Sequence, residues 1–283
     1  MTYEKYTGRE AFVSLAEEPY LHIAPKAFLS CKTIESLKLP MTLESIGDWA
    51  FAHMHNLTDL YLPARDITLG KKVFLDCENL QRIHIMDDTS GNEGLSQMLG
   101  AAVTILKNTD LLRPHLAGHR DTHEAWLADF DEALKEFLVS EDNHGFEPVF
   151  YGWFNDDDVY STQLPLYLKK KRTGKLTLAF MRLRYSLHLA DDLKALLQTY
   201  LADHMPWGAK AGKHTITWDL LPSCCQSELI YIQILEQAGA FETAHIPALI
   251  EHLQDASPEI IAYLLNPKSS HQQSEDFFEH FSL

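Results

Sequence analysis

His115, His119 and His123 fall four residues apart, with Glu124 beside the last of them. On one continuous helix the three would share a face, and imidazoles on one face can hold zinc. Pro114 and Gly118 break up such a helix, and with 15 histidines in 283 residues this spacing also arises by accident. Asp156, Asp157 and Asp158 offer oxygen ligands for a hard divalent cation. They lack the glycine and the distal glutamate of a calcium loop, and read as a solvated acidic run. Cys224 and Cys225 are adjacent, which strains any bond between them, and no Cys-x-x-Cys motif supplies further thiolates. Lys169–Arg172 with Lys175 make one basic cluster, and Arg182 and Arg184 follow it. Such a cluster suits an exposed helix end or pairs with the acidic run. A nucleophile elbow, a phosphate loop, a dinucleotide fingerprint and the kinase motifs are all missing. No catalytic residue, no cofactor and no metal is assigned.

The charge balance narrows the partners. The chain carries a formal net charge of −16, unevenly spread. Residues 1–108 hold 10 basic and 14 acidic residues, and residues 109–283 hold 14 and 26. A chain this acidic repels phosphate backbones and anionic headgroups, so nucleic acid and membrane are poor partners and a basic protein is favoured. The start, MTYEKYTGRE, has no basic segment followed by an apolar run, and no stretch approaches the length of a membrane span. Both point to a cytoplasmic protein.

The elements that must position any site are repeats. AFLSCKTIESLKLP at 27–40, AFAHMHNLTDLYLP at 50–63 and VFLDCENLQRIHIM at 73–86 follow one another at 23-residue steps. Phe28, Phe51 and Phe74 align, as do Ile34, Leu57 and Leu80, then Leu37, Leu60 and Ile83, then Leu39, Leu62 and Ile85. Upstream, Ile23, Ile46 and Leu69 keep the same step. That many apolar columns over three copies mark an internal repeat. Leu37-Lys38-Leu39 alternates in, out, in, as a half-buried strand does, and Pro40 and Pro63 end the strands. The Ala-Phe pair opens a turn on the opposite side. Stacked copies hide what one copy cannot, and their strands form a short parallel sheet. Phe12, Val13 and Leu15 could supply a first strand, one position out of register. Val103-Thr104-Ile105 reads as a last strand, on a capping coil. Cys31 and Cys77 share a column with Met54 between them. Two rungs set them about 10 Å apart, beyond disulfide reach, so they are expected to be buried free thiols.

Cys31-Lys32-Thr33-Ile34-Glu35-Ser36-Leu37-Lys38-Leu39-Pro40 and Ile46-Gly47-Asp48-Trp49-Ala50-Phe51 resemble the leucine-rich repeats of bacterial surface-antigen type. The resemblance covers about residues 20–107. It implies a solenoid with a curved parallel sheet and a role in binding. The array is short for such proteins.

From Thr122 the period changes to that of helices. Trp126, Phe130, Leu134, Phe137 and Leu138 recur at three- and four-residue steps, with Asp121 placed to cap. Phe146, Phe150, Tyr151, Trp153 and Phe154 then lead into the acidic run. Pro165 suits the first turn of a short helix, residues 176–188 a second, and 193–202 a third capped by Asp191 or Asp192. Helices are expected again at 228–238, 244–253 and 259–265, with wording weakly similar to ankyrin repeats over 228–266.

The fold class expected is α+β: a short leucine-rich-repeat solenoid in 1–108, a linker at 109–121 and an all-helical domain in 122–283. Recognition is expected on the outward sheet face. Ser36, Asp59 and Arg82 form one column; Lys38, Tyr61 and His84 form the next, which Thr104 would continue. The function expected is a protein-protein interaction module that binds through this face or through a cleft between the domains. The competing reading for those residues is a face covered by the helical domain. The competing function is a metal-dependent enzyme whose site is lined by the aromatic group at 150–154 and Asp156–Asp158.

Overall fold

A coil with apolar residues at only a few positions cannot enclose a core, so each coil must lie on the next. A computed structural model describes residues 1–86, 93–116, 123–148, 156–207, 228–253 and 257–266, without the side chains of residues 123 and 156–160. Its contacts divide the chain into two compact units, with the division between Leu134 and Lys135.

The first unit is built on four coils, each with a strand in two parallel sheets. One sheet holds β2 (Phe12–Ser14), β4 (Ser36–Lys38), β6 (Asp59–Pro63) and β8 (Arg82–Met86), in that order. The other holds β1 (Thr2–Tyr3), β3 (His22–Ile23), β5 (Ser45–Ile46) and β7 (Thr68–Leu69). The second sheet goes beyond the single sheet expected. Its strands are two residues long and bring one inward side chain each, so no alternation exposes them in the sequence.

Between the sheets Phe28, Phe51 and Phe74 stand in single file, with ring centroids 5.7 and 5.8 Å apart. Tyr3 and Tyr6 close the first end of the file by stacking on Phe28 at 5.2 and 5.5 Å. Two residues in each turn sit in the left-handed region although neither is glycine: Lys26 and Ser30, Trp49 and His53, Lys72 and Asp76, with φ from 53° to 61°. That conformation costs about 1–2 kcal/mol per residue. Hydrogen bonds to the following coil hold it in place: the Lys26 and Ser30 amides donate to Asp48 and Ala52, and those of Trp49 and His53 to Lys71 and Leu75.

The register slip at Phe12 has a simple origin. Val13 pairs with Leu37, 24 residues on, whereas Leu37 pairs with Leu60 at a step of 23. The extra residue lies in the loop from Val13 to Ile23, which is one residue longer than that from Leu37 to Ile46.

After β8 the chain turns into α1 (Glu93–Thr104), which packs on that last strand. A strand at Val103–Ile105 is therefore corrected. Three β-branched residues in a row favour a strand by local propensity alone. Leu95, Met98, Leu99, Ala102 and Val103 instead fall on one buried helical face. Thr104 lies at the end of that helix, donating its hydroxyl to the Gly100 carbonyl at 2.8 Å, and does not continue the sheet. A 3-10 turn (Thr109–Leu112) and α2 (Arg113–Leu116) follow, so Pro114 sits inside a helical turn. The indole of Trp126 on α3 (His123–Val139) donates to the Leu111 carbonyl at 2.7 Å.

The second unit contains α4 (Asp156–Arg184), α5 (Asp191–His204), α6 (Leu229–Gln237), α7 (Ile246–His252) and α8 (Pro258–Leu265). The two helices expected at Pro165 and at 176–188 are one, and Pro165 lies inside it. A proline there removes one intrahelical bond. Asp191 and Asp192 occupy the first turn of α5, and Ala190 is its N-cap. The last three helices fall where the period placed them. No described helix is long and apolar enough to cross a membrane.

Candidate functional site: the outer face of the longer-stranded sheet

Alternation sends Leu37, Leu60 and Ile83 into the core and turns their neighbours outward. The pairing places Ser36, Asp59 and Arg82 in one row and Lys38, Tyr61 and His84 in the next. Each of these six side chains is half-buried. Two further residues belong to the face and escaped the sequence argument. Phe12 pairs with Ser36, and Ser14 with Lys38. Phe12 is 74% exposed. The alternation of Phe12 and Ser14 about Val13 was the available signal, hidden by the 24-residue step.

Neighbouring side chains hold one another in place. The Arg82 guanidinium meets the Asp59 carboxylate two-to-two, Nε to Oδ1 at 2.6 Å and Nη2 to Oδ2 at 2.9 Å. His84 Nε2 lies 3.0 Å from Asp59 Oδ1, and the Thr58 hydroxyl donates to Oδ2 at 2.8 Å. Burial alone would raise the Asp59 carboxyl; the hydrogen bonds from Arg82, His84 and Thr58 outweigh it and hold the carboxyl down at about 2. Tyr61 and His84 stack, with centroids 4.3 Å apart and planes 12° from parallel. Lys38 places its ammonium over the other partner of that pair, 5.4 Å from the Tyr61 ring centre.

The remaining candidates fall elsewhere. Cys77 is a buried free thiol donating to the Phe51 carbonyl at 3.0 Å, and burial pushes it up to about 11. Cys31 is free but only half-buried, a correction to the expected buried pair: no coil of matching length covers it on the first side. His115 is buried edge-on against Trp126, with centroids 4.8 Å apart. His119, Asp121, the His123 side chain, Phe150, Tyr151, Trp153, Phe154, the side chains of Asp156–Asp158, Cys224 and Cys225 lie outside the described residues. Among the described residues no group of three His, Cys, Asp or Glu could hold a metal ion. In the second unit two members of the basic cluster are tied inward, while Lys169 and Lys170 are exposed. Arg172 Nε and Lys175 Nζ meet the two oxygens of Asp142 at 2.7 and 2.9 Å, and Lys175 also donates to the Ser140 carbonyl. Arg182 is fully buried and donates to the carbonyls of Tyr185 and Leu187.

Coil length, the phenylalanine file and the paired parallel strands now define the repeat, and a family model agrees with them over residues 14–96, in six copies. This region is a BspA type leucine-rich repeat region. No curated protein matches the chain, and no solved structure does. The repeat type speaks for protein-protein interaction; it names no partner.

Proposed function

We propose that the BspA-type repeats form a protein-binding module and that the outer sheet face from Phe12 to His84 is its contact surface. Residues 1–108 then carry recognition. One observation carries this reading: Tyr61 and Arg82, residue types that dominate binding energy at interfaces, are each held before any partner arrives. Asp59 fixes the guanidinium and His84 the phenol ring. Side chains already ordered lose less entropy on binding, and that loss is about 0.5–1.5 kcal/mol for each mobile one. The net charge of −16 favours a basic partner at long range, while the face itself carries cations.

The test is affinity capture from the native cell with the wild-type chain and with Phe12→Ala, Tyr61→Ala and Arg82→Ala. Partners recovered by the wild type and lost with these variants support the surface. Equal recovery with all three removes it.

A further inference from the structure

The sheet face is electrically uneven along its length. At the α1 end Arg82 is matched by Asp59, and Glu93 adds a second negative charge to its field. At the other end Lys38 has no carboxylate within ion-pair distance among the described residues. Glu35 lies three residues before it, about 10 Å along an extended backbone, and Asp59, about 8 Å away across the next strand, is already engaged by Arg82, His84 and Thr58. The Ser14 and Ser36 side chains flank Lys38, and Phe12 stands one strand over and two residues back. From the strand spacing and the rise per residue, Phe12 and Lys38 are about 8 Å apart.

Resting on the reading above that this face binds protein, we propose that its Phe12–Lys38 half takes an acidic segment. The partner is an extended stretch that sets a carboxylate on the Lys38 ammonium and, two residues away, an aromatic or aliphatic side chain on Phe12. The spacing of alternate residues on an extended strand, about 7 Å, spans the two. The Ser14 hydroxyl donates to the second carboxylate oxygen. Lys38 is half-buried and backed by the Tyr61 ring, so its charge faces less water than a lysine at the end of a loop. The acidity of the whole chain does not cancel this. At physiological salt the screening length is about 8 Å, so distant carboxylates contribute little at contact.

The experiment selects binders from a random-peptide phage library on the immobilised full chain. The expected consensus has an acidic residue two positions from an aromatic or aliphatic one. Binding of the synthetic consensus peptide should fall about tenfold with Lys38→Glu or Phe12→Ala. It should weaken as salt is raised, with the melting temperature of the variants unchanged. A basic or uncharged consensus whose binding still falls with Tyr61→Ala overturns the acidic assignment and leaves the face as a binding surface. A consensus indifferent to Phe12→Ala, Lys38→Glu and Tyr61→Ala overturns both, as does a selection that enriches nothing.

Discussion

Asp59 and Arg82, 23 residues apart in the chain, face each other on adjacent strands in a two-to-two ion pair. Each oxygen of Asp59 also has a second partner, His84 on one and Thr58 on the other. The pair is therefore part of how β8 is fastened to β6. Because the folded carboxyl sits at about 2, below its ordinary range near 4, its stabilising contribution is complete above pH 4 and fades as pH falls toward 2. Acid titration followed by circular dichroism checks this: Asp59→Asn should remove part of the wild-type stability loss in that window. At neutral pH, Arg82→Ala should cost about 1 kcal/mol in urea denaturation.

Phe51 has a ring on either side and no exposure. Phe51→Ala should leave a void in the middle of the file and destabilise the repeats by about 3–5 kcal/mol. Thermal unfolding of the full chain reads it, and Phe12→Ala, an exposed ring, should leave the transition in place.

Gly100 in α1 presses on the last coil. A Cβ at this position would stand 2.3 Å from the Gln81 carbonyl oxygen. In an isolated helix, replacing glycine by alanine stabilises by about 1 kcal/mol. Here Gly100→Ala should reverse the sign and cost about 1–3 kcal/mol, because the backbone must move apart. The sign of the change in the denaturation midpoint decides.

Lys26 has a φ of 61° and is exposed. Lys26→Gly should raise stability by about 1 kcal/mol, since glycine takes the left-handed region without the Cβ clash. Lys26→Pro should do the reverse, as it removes the amide that donates to Asp48 and demands a negative φ.

Lys175 is 3% exposed and depends on Asp142 for its counter-charge. Burial would raise the Asp142 carboxyl, yet Arg172 and Lys175 hold it below the usual carboxylate range. Asp142→Ala should cost about 3 kcal/mol by leaving a buried ammonium. The double variant with Lys175→Met should recover part of it in the same assay.

The repeats were legible because their signal is redundant. Leu37, Leu60 and Ile83 state the same geometry three times, and the outward rows follow by alternation. Phe12 and Ser14 were not, because one extra loop residue shifts their coil while pairing restores the rung in space. Thr104 has a β-branched neighbour on either side, which favours a strand locally, whereas the packing of α1 on β8 follows a helical period. The Asp59, Arg82 and His84 cluster could be placed as rows, but its bonding could not. Whether a carboxylate meets a guanidinium across a rung depends on rotamers that no spacing reports. In the helical half each element occurs once, so Pro165 reads as a boundary although α4 runs on through it.

With Tyr3 and Tyr6 stacked on the first phenylalanine and α1 packed on the last strand, the coils between them behave as a ruler. Each is hydrogen-bonded to its two neighbours, and each adds one graduation of about 4.8 Å. Duplicating a 23-residue cassette in frame, such as Ile46–Thr68, would lengthen the scale by one mark and leave both ends as they are. It would also slide the Phe12–Lys38 half one notch away from Arg82. A ligand that spans both would then have to be longer by the same step, which makes the length it measures a property that can be set by counting coils.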